Sequence, residues 1–141
     1  MGISDLEVKR LQRIQNSLAR VVLCVPLRTC SSVLLHQLHW LPVEFRIRFK
    51  LSCWTYKALN TNKSAYLHAL LTPYTPPRCL RSSGARILAE PRYRTSFGSC
   101  AFHISALPME WISLRSSNSL LSFKQRLRSL YFFLAFKKLE S

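Results

Sequence analysis

Residues 38–57 read LHWLPVEFRIRFKLSCWTYK, and this stretch decides how the rest of the chain is organised. In steps of two from Val43, apolar and polar residues alternate, as they do in a half-buried strand. A helix fits as well, because Pro42 suits a first helical position, where its missing N–H costs nothing. The apolar pattern persists to Leu59, about 18 residues, whereas strands average ~5–6, so the sequence predicts one long central helix.

Read as a helix, this segment has two apolar flanks and a basic edge, and we expect neighbouring elements to pack on it. Trp40, Trp54 and Trp111 are interpreted as core residues. Truncating Trp54 to alanine is accordingly expected to cost about 3–5 kcal/mol. The flanks are Val43, Ile47, Leu51, Trp54 and Ala58 on one side, and Phe45, Phe49 and Tyr56 on the other.

The N-terminal segment carries a helix-start signal, a Ser4-x-x-Glu7 capping box. It predicts a helix near 5–25 that Pro26 ends. Its Lys and Arg residues decorate other faces than the apolar stripe, which is expected to face inward. The stripe is Leu11, Ile14, Leu18, Val21/Val22 and Val25.

Further helices are predicted near 31–41, 42–60 and 64–71, so that 1–77 is a helical region. Ser31 or Ser32 is expected to cap the second helix, and Val33, Leu34, Leu35, Leu38 and Leu41 are expected to face inward. A last helix with a frayed tail is predicted in 119–141, capped by Asn118 or Ser119. It turns Leu120, Phe123, Leu127, Leu130 and Leu134 inward, and Lys124, Arg126 and Arg128 outward.

Between these helical parts, 78–118 is interpreted as a basic loop followed by a β hairpin. Prolines at positions 73, 76 and 77 favour extended backbone. Five arginines then stand between Arg78 and Arg94, and 87–89 and 93–97 have the composition of short strands. The predicted fold class is therefore mainly α. It is a small helical domain of about four to five helices, with a short β hairpin or meander between the central and last helices.

The formal charge of the chain is +15, from 21 Lys and Arg against six acidic residues. Such a surplus favours a polyanionic partner, most often RNA or DNA, although accidental base composition of a short reading frame is the alternative. The five cysteines contain no C-x-x-C pair, which indicates reduced, mostly buried thiols in an intracellular protein. The longest apolar runs have seven residues, too few to span a membrane.

The sequence lacks the usual chemistry of an enzyme active site. Asp5 is the one aspartate, and the acids at 44, 90 and 110 are far apart, so no carboxylate cluster for catalytic metals is evident. His36 and His39 have a spacing that could share a metal, but packing or surface roles are favoured because no third ligand is near. We predict no catalytic residue, no metal site and no cofactor.

Short segments in order along nearly the whole chain carry a family resemblance. They include LQRIQN at 11–16, LHWLP at 38–42, YKAL at 56–59, LLTPY at 70–74, LRSS at 80–83 and RTSFG at 94–98. Together they resemble the C-terminal region of LINE-type, non-LTR retrotransposon reverse transcriptases. The sequence departs from that pattern at 111–115, WISLR, where the family usually reads Trp-Asn-Ser-Leu-Pro.

The resemblance implies the part of such an enzyme downstream of the polymerase palm, mainly helical and adjacent to RNA or DNA. The parent family is RNA-directed DNA polymerase, and its aromatic-x-Asp-Asp motif is not in this sequence. The expected function is non-catalytic contact with the nucleic-acid backbone. The alternatives are an interaction module that folds against the missing polymerase domains, or a decayed transposon relic. Candidate contact residues are Arg46, Arg48, Lys50, Arg78, Arg81, Arg86, Arg92 and Arg94, with Tyr74 and Tyr93 as stacking residues.

Overall fold

The computed structural model describes residues 3–61, 64–72, 88–89, 94–95, 98, 101–102 and 119–137, and these are mainly helical. The predicted fold class is confirmed as mainly α. The predicted hairpin lies largely outside the described residues, of which Leu88 forms an isolated β bridge. The helices are α1 (Asp5–Leu23), α2 (Ser31–Gln37), α3 (Val43–Thr61), α4 (Ala65–Leu70) and α5 (Leu120–Phe136).

The described residues fall into two compact units. The first unit comprises 3–50 and 119–137, and the second comprises the described residues between 51 and 102. Helix α3 is continuous and contributes its first eight residues, 43–50, to the first unit and the remainder to the second.

Helix α1 begins as predicted. The Ser4 hydroxyl accepts a hydrogen bond from the Glu7 N–H at 3.3 Å, and the Glu7 carboxylate accepts one from the Ser4 N–H at 3.2 Å. This reciprocal capping box satisfies two amide groups that a helix start leaves without partners. The helix ends at Leu23, before Pro26, because Cys24 adopts a left-handed conformation (φ 51°) and its N–H bonds back to the last turn.

The side of α1 that faces inward was predicted wrongly. The buried residues are Gln15 and Ala19, whereas the apolar stripe from Leu11 to Val22 is exposed. Two glutamines account for this orientation. The Gln15 amide donates to the carbonyl of Leu41 and the Gln12 side chain accepts from the N–H of Val43, both at 2.8 Å. These bonds hold a polar face of α1 against the start of α3.

Helix α2 is shorter than predicted and is capped differently. Its N-cap is Cys30, which makes no side-chain capping bond, so neither Ser31 nor Ser32 is the cap. The helix ends at Gln37 because His39 has a positive φ of 51°, which a right-handed helix excludes. Leu34 and Leu35 face inward as predicted, but Val33 is exposed.

The core of the first unit lies between α1, α2 and α5. Ala19 of α1 packs with Leu34 and Leu35 of α2 and Phe136 of α5, and Trp40 lies against this cluster as predicted for a core tryptophan. On α5, the Ser119 hydroxyl caps the helix and Phe123, Leu127 and Tyr131 are buried. Arg126 and Arg128 are exposed, whereas Lys124 is half-buried.

The second unit has a smaller apolar cluster. Ala58 of α3 packs with Leu71, just after α4, and with Leu88. The Ala89 N–H donates to the Thr72 carbonyl at 2.9 Å, which ties the two segments together beside this cluster. The cluster therefore fixes the end of α4 and the short 88–89 segment against the last turns of α3.

Trp54 is the main correction to the predicted core of α3. Its side chain is 52% exposed, although it was predicted to pack inward with Leu51 and Ala58. The buried side of this part of α3 is formed instead by Cys53, Thr55, Tyr56 and Ala58 together with Ser52. The hydroxyl of Thr55 donates to the Leu51 carbonyl at 2.9 Å, so this polar side chain is satisfied within the helix.

We predict a large loss of stability for truncation of one aromatic residue and a small loss for truncation of another. Phe123 is 0% exposed, so Phe123→Ala is expected to lower the free energy of unfolding by about 3–5 kcal/mol. Trp54→Ala, at an exposed position, is expected to lower it by less than about 1 kcal/mol. Urea denaturation followed by circular dichroism measures both values. A loss for Trp54→Ala as large as that for Phe123→Ala would contradict the surface position of Trp54.

Candidate nucleic-acid interface

One face of α3 carries cations and an aromatic ring toward solvent. Arg46, Lys50, Trp54 and Lys57 follow one another at spacings of four, four and three residues, and all four are exposed. At 3.6 residues per turn, these spacings place them on one side of the helix. The periodicity of α3 alone thus aligns three positive charges and an indole ring in a row. We call these four residues the cationic face of α3.

Arg48 lies away from this face. It is two residues from both Arg46 and Lys50, which puts it on nearly the opposite side of the helix. Its guanidinium donates to the Glu44 carboxylate at 2.6 Å and lies 5.6 Å from the centre of the Phe45 ring. Glu44 therefore pairs with Arg48 rather than with Arg46. The three predicted cations of α3 do not form a single edge.

Of the five candidate arginines from Arg78 to Arg94, Arg94 alone lies within the described part of the chain, and it is exposed. The other candidates are outside the described residues and stay predictions. These are Arg78, Arg81, Arg86, Arg92, Tyr74 and Tyr93.

Sequence reasoning missed two members of the cationic face, Trp54 and Lys57. The signal was present, because Trp54 follows Lys50 at i+4 and Lys57 follows Trp54 at i+3, which keeps both on the side of Arg46 and Lys50. It was overlooked since a tryptophan at helical spacing from Leu51 and Ala58 is usually a core residue. An aromatic ring between cations is also the pattern that contacts unpaired bases.

His36 and His39 have the packing role that the sequence favoured. Their ring centres lie 5.1 and 5.3 Å from that of Phe132, and His36 also contacts Phe136 edge-on at 5.2 Å. Within the described ranges, no group of three or more His, Cys, Asp or Glu side chains is placed to hold a metal ion. The imidazoles extend the aromatic contacts between α2 and α5.

The three cysteines within the described residues differ from the expectation of mostly buried thiols. Cys53 is buried, but Cys24 and Cys30 are exposed, and all three are free thiols. The Ser32 hydroxyl, 3.0 Å from the Cys30 sulfur, lowers the pKa of the Cys30 thiol, and the N–H groups of Ser32 and Val33 add to this effect. A lowered pKa raises the thiolate fraction near neutral pH, which is the reactive form.

Comparisons with known proteins identify no relative. No protein-family model matches the chain, and neither a curated protein nor a solved structure matches it. Among the described residues, none of the helices combines the length and the apolar character that crossing a lipid bilayer requires.

The Cys30 environment gives a prediction about thiol reactivity. Replacing Ser32 by alanine removes the main group that stabilises the thiolate, so the pH midpoint of Cys30 alkylation is expected to move upward. Iodoacetamide labelling followed by mass spectrometry, across a pH series, measures this midpoint. Ser31→Ala is the matched control and is expected to leave the midpoint unchanged. An unchanged midpoint for Ser32→Ala would show that its hydroxyl does not stabilise the thiolate.

Proposed function

We propose that this chain is a non-catalytic nucleic-acid-binding protein that contacts RNA or DNA through the cationic face of α3. The single observation that carries the proposal is the alignment of Arg46, Lys50 and Lys57 on one exposed side of a helix, with Trp54 among them. The net charge of +15 supports a polyanionic ligand. The sequence resemblance to the C-terminal region of non-LTR reverse transcriptases supports the same class of ligand.

The mechanism is neutralisation of phosphates in a row. Arg46 and Lys57 are eleven residues apart, which corresponds to about 16 Å along a helix that rises 1.5 Å per residue. A phosphate backbone lying along α3 can therefore meet successive cations, and each contact releases condensed counterions. Contacts of this kind position a nucleic acid without reading its sequence.

Trp54 gives the site a preference for unpaired nucleotides. Its exposed indole lies between Lys50 and Lys57, so a base of a strand held by these lysines can stack on the ring. Stacking on an aromatic side chain contributes about 1–3 kcal/mol per base and tolerates any base, because each base has a π face. In a duplex the bases are already stacked on one another, so the Trp54 ring adds no comparable free energy of binding.

Salt titrations test the role of the cationic face. The variant Arg46→Gln/Lys50→Gln/Lys57→Gln is expected to bind single-stranded RNA more weakly, with a log Kd against log salt slope flattened by about two. Trp54→Ala is expected to weaken binding to single strands but to leave duplex binding nearly unchanged. Fluorescence anisotropy with labelled oligonucleotides of unrelated sequence measures both effects.

A matched control separates a site from general charge. Lys9→Gln/Arg126→Gln/Arg128→Gln removes three positive charges from exposed positions on α1 and α5. It is expected to change affinity and slope much less than the α3 variant does. Equal losses in the two triple variants would show that total charge drives binding and that α3 is not a specific surface.

The absence of a carboxylate cluster in the sequence gives a prediction about activity. The protein, supplied with primer–template, Mg²⁺ and nucleotides, is expected to extend no primer, because two-metal phosphoryl transfer requires acidic ligands that hold both ions. Gel analysis of a labelled primer provides the measurement. Extension that persists through purification and disappears in Glu44→Gln, Glu90→Gln or Glu110→Gln would contradict the non-catalytic assignment.

A further inference from the structure

The cationic face of α3 is a single row of residues. Within 45–59, its four members are exposed, and every other residue is buried or half-buried. Cys53 and Ala58, which are 5% and 2% exposed, lie on either side of the row around the helix. The rest of the protein therefore borders the cationic face along both of its sides.

This burial excludes one way of binding a duplex. A helix with its side chains is about 10–12 Å across, so in the major groove, which is about 12 Å wide, its flanks face the groove walls. The flanks of α3 at Cys53 and Ala58 are covered by the protein itself. The cationic face can thus lie along a phosphate backbone, but this part of α3 cannot enter the groove of a duplex.

The width of the row sets how many strands it contacts. A row that is one residue wide follows one backbone, so the second strand of a duplex supplies no further phosphate to it. Trp54 is the single aromatic ring of the row, and one unpaired base is enough to occupy it. The cationic face therefore requires one strand with at least one base that is free to leave its stack.

The length of the row limits how many nucleotides it contacts. Arg46 and Lys57 are eleven residues apart, or about 16 Å along the helix axis. Phosphates of a stacked strand follow one another at intervals of about 3.4 Å along the strand axis, so roughly six of them match this length. A strand that opens to place a base on Trp54 is more extended, and fewer of its phosphates match.

We propose that the cationic face of α3 binds a short unpaired stretch, of no more than about six nucleotides, within a larger and mostly paired nucleic acid. A loop that interrupts a duplex has this form. The proposal rests on the proposed function and specifies the ligand of the same site. The groups recognised are phosphates and one unpaired base, which a looped RNA and a looped DNA share.

Binding to a set of RNAs with equal numbers of phosphates tests the proposal on the full chain. The set is a fully paired duplex and two duplexes interrupted by an unpaired loop of about six or about twelve nucleotides. Fluorescence anisotropy is expected to show at least about tenfold tighter binding of either looped RNA than of the paired duplex, because a base stacks on Trp54. Trp54→Ala is expected to remove this preference, and Trp54→Phe is expected to keep part of it.

The two loop sizes test the length of the site. Arg46→Gln/Lys50→Gln/Lys57→Gln is expected to flatten the log Kd against log salt slope by the same amount for both looped RNAs, since the longer loop reaches no further cation of the row. Phe133→Ala is the matched control for Trp54→Ala, because Phe133 is an aromatic residue on α5 that is 51% exposed. It is expected to leave the preference for loops unchanged, and circular dichroism checks that each variant is folded.

The outcomes distinguish failure of this proposal from failure of the proposed function. If the triple variant weakens binding of every RNA, but the paired duplex binds wild type as tightly as the looped RNAs, the cationic face binds nucleic acid without requiring a loop. A loss of slope that grows from the shorter to the longer loop would contradict the short site. A looped DNA of the same sequence is expected to bind as the looped RNA does, and its failure to bind would show a 2′-hydroxyl contact that contradicts recognition by phosphates and one base alone. If the triple variant binds all of these RNAs as wild type does, the proposed function itself fails.

Discussion

The orientation of α1 depends on two glutamine side chains. Gln12 and Gln15 bond to the N–H of Val43 and the carbonyl of Leu41, on either side of Pro42. These backbone groups lie where α3 begins. A buried backbone group without a hydrogen-bond partner lowers stability by about 1–3 kcal/mol. The glutamines supply the partners, and in doing so they rotate α1 so that Ala19, and not the leucines, meets α2.

This constraint explains why the apolar stripe of α1 is left on the surface. The inward face and the stripe are separated by about a third of a turn, so one helix cannot bury both against the same neighbours. Burying the stripe instead would forfeit the two hydrogen bonds and place glutamines in solvent. The exposure of Leu11, Ile14 and Leu18 is thus coupled to how the start of α3 is held.

Features that depend on neighbouring residues were predictable from the sequence, whereas features that depend on distant residues were not. The capping box of α1, the Ser119 cap of α5 and the long central helix all follow from local signals, and the structure confirms each one. The inward side of α1 and the exposure of Trp54 were predicted wrongly. Periodicity shows that a helix has an apolar side, but only the partners present in the fold determine whether that side is covered. Ala58, in contrast, is buried as predicted because it packs with Leu71 and Leu88.

The candidate site also combines features that were predictable from neighbouring residues with one that was not. Arg46 and Lys50 were identified from the sequence as exposed cations, and helical periodicity would have added Lys57. The engagement of Arg48 with Glu44 follows from an i, i+4 pairing that the sequence already contains, in an orientation that stabilises helices. What the sequence did not reveal is the solvent-facing indole of Trp54, because its position depends on which residues of α3 face the core.

The two exposed surfaces differ in the force that each offers a partner. Binding along the cationic face of α3 gains free energy from counterion release, which falls steeply as salt concentration rises. The exposed apolar stripe of α1 offers apolar contact, which salt screens little.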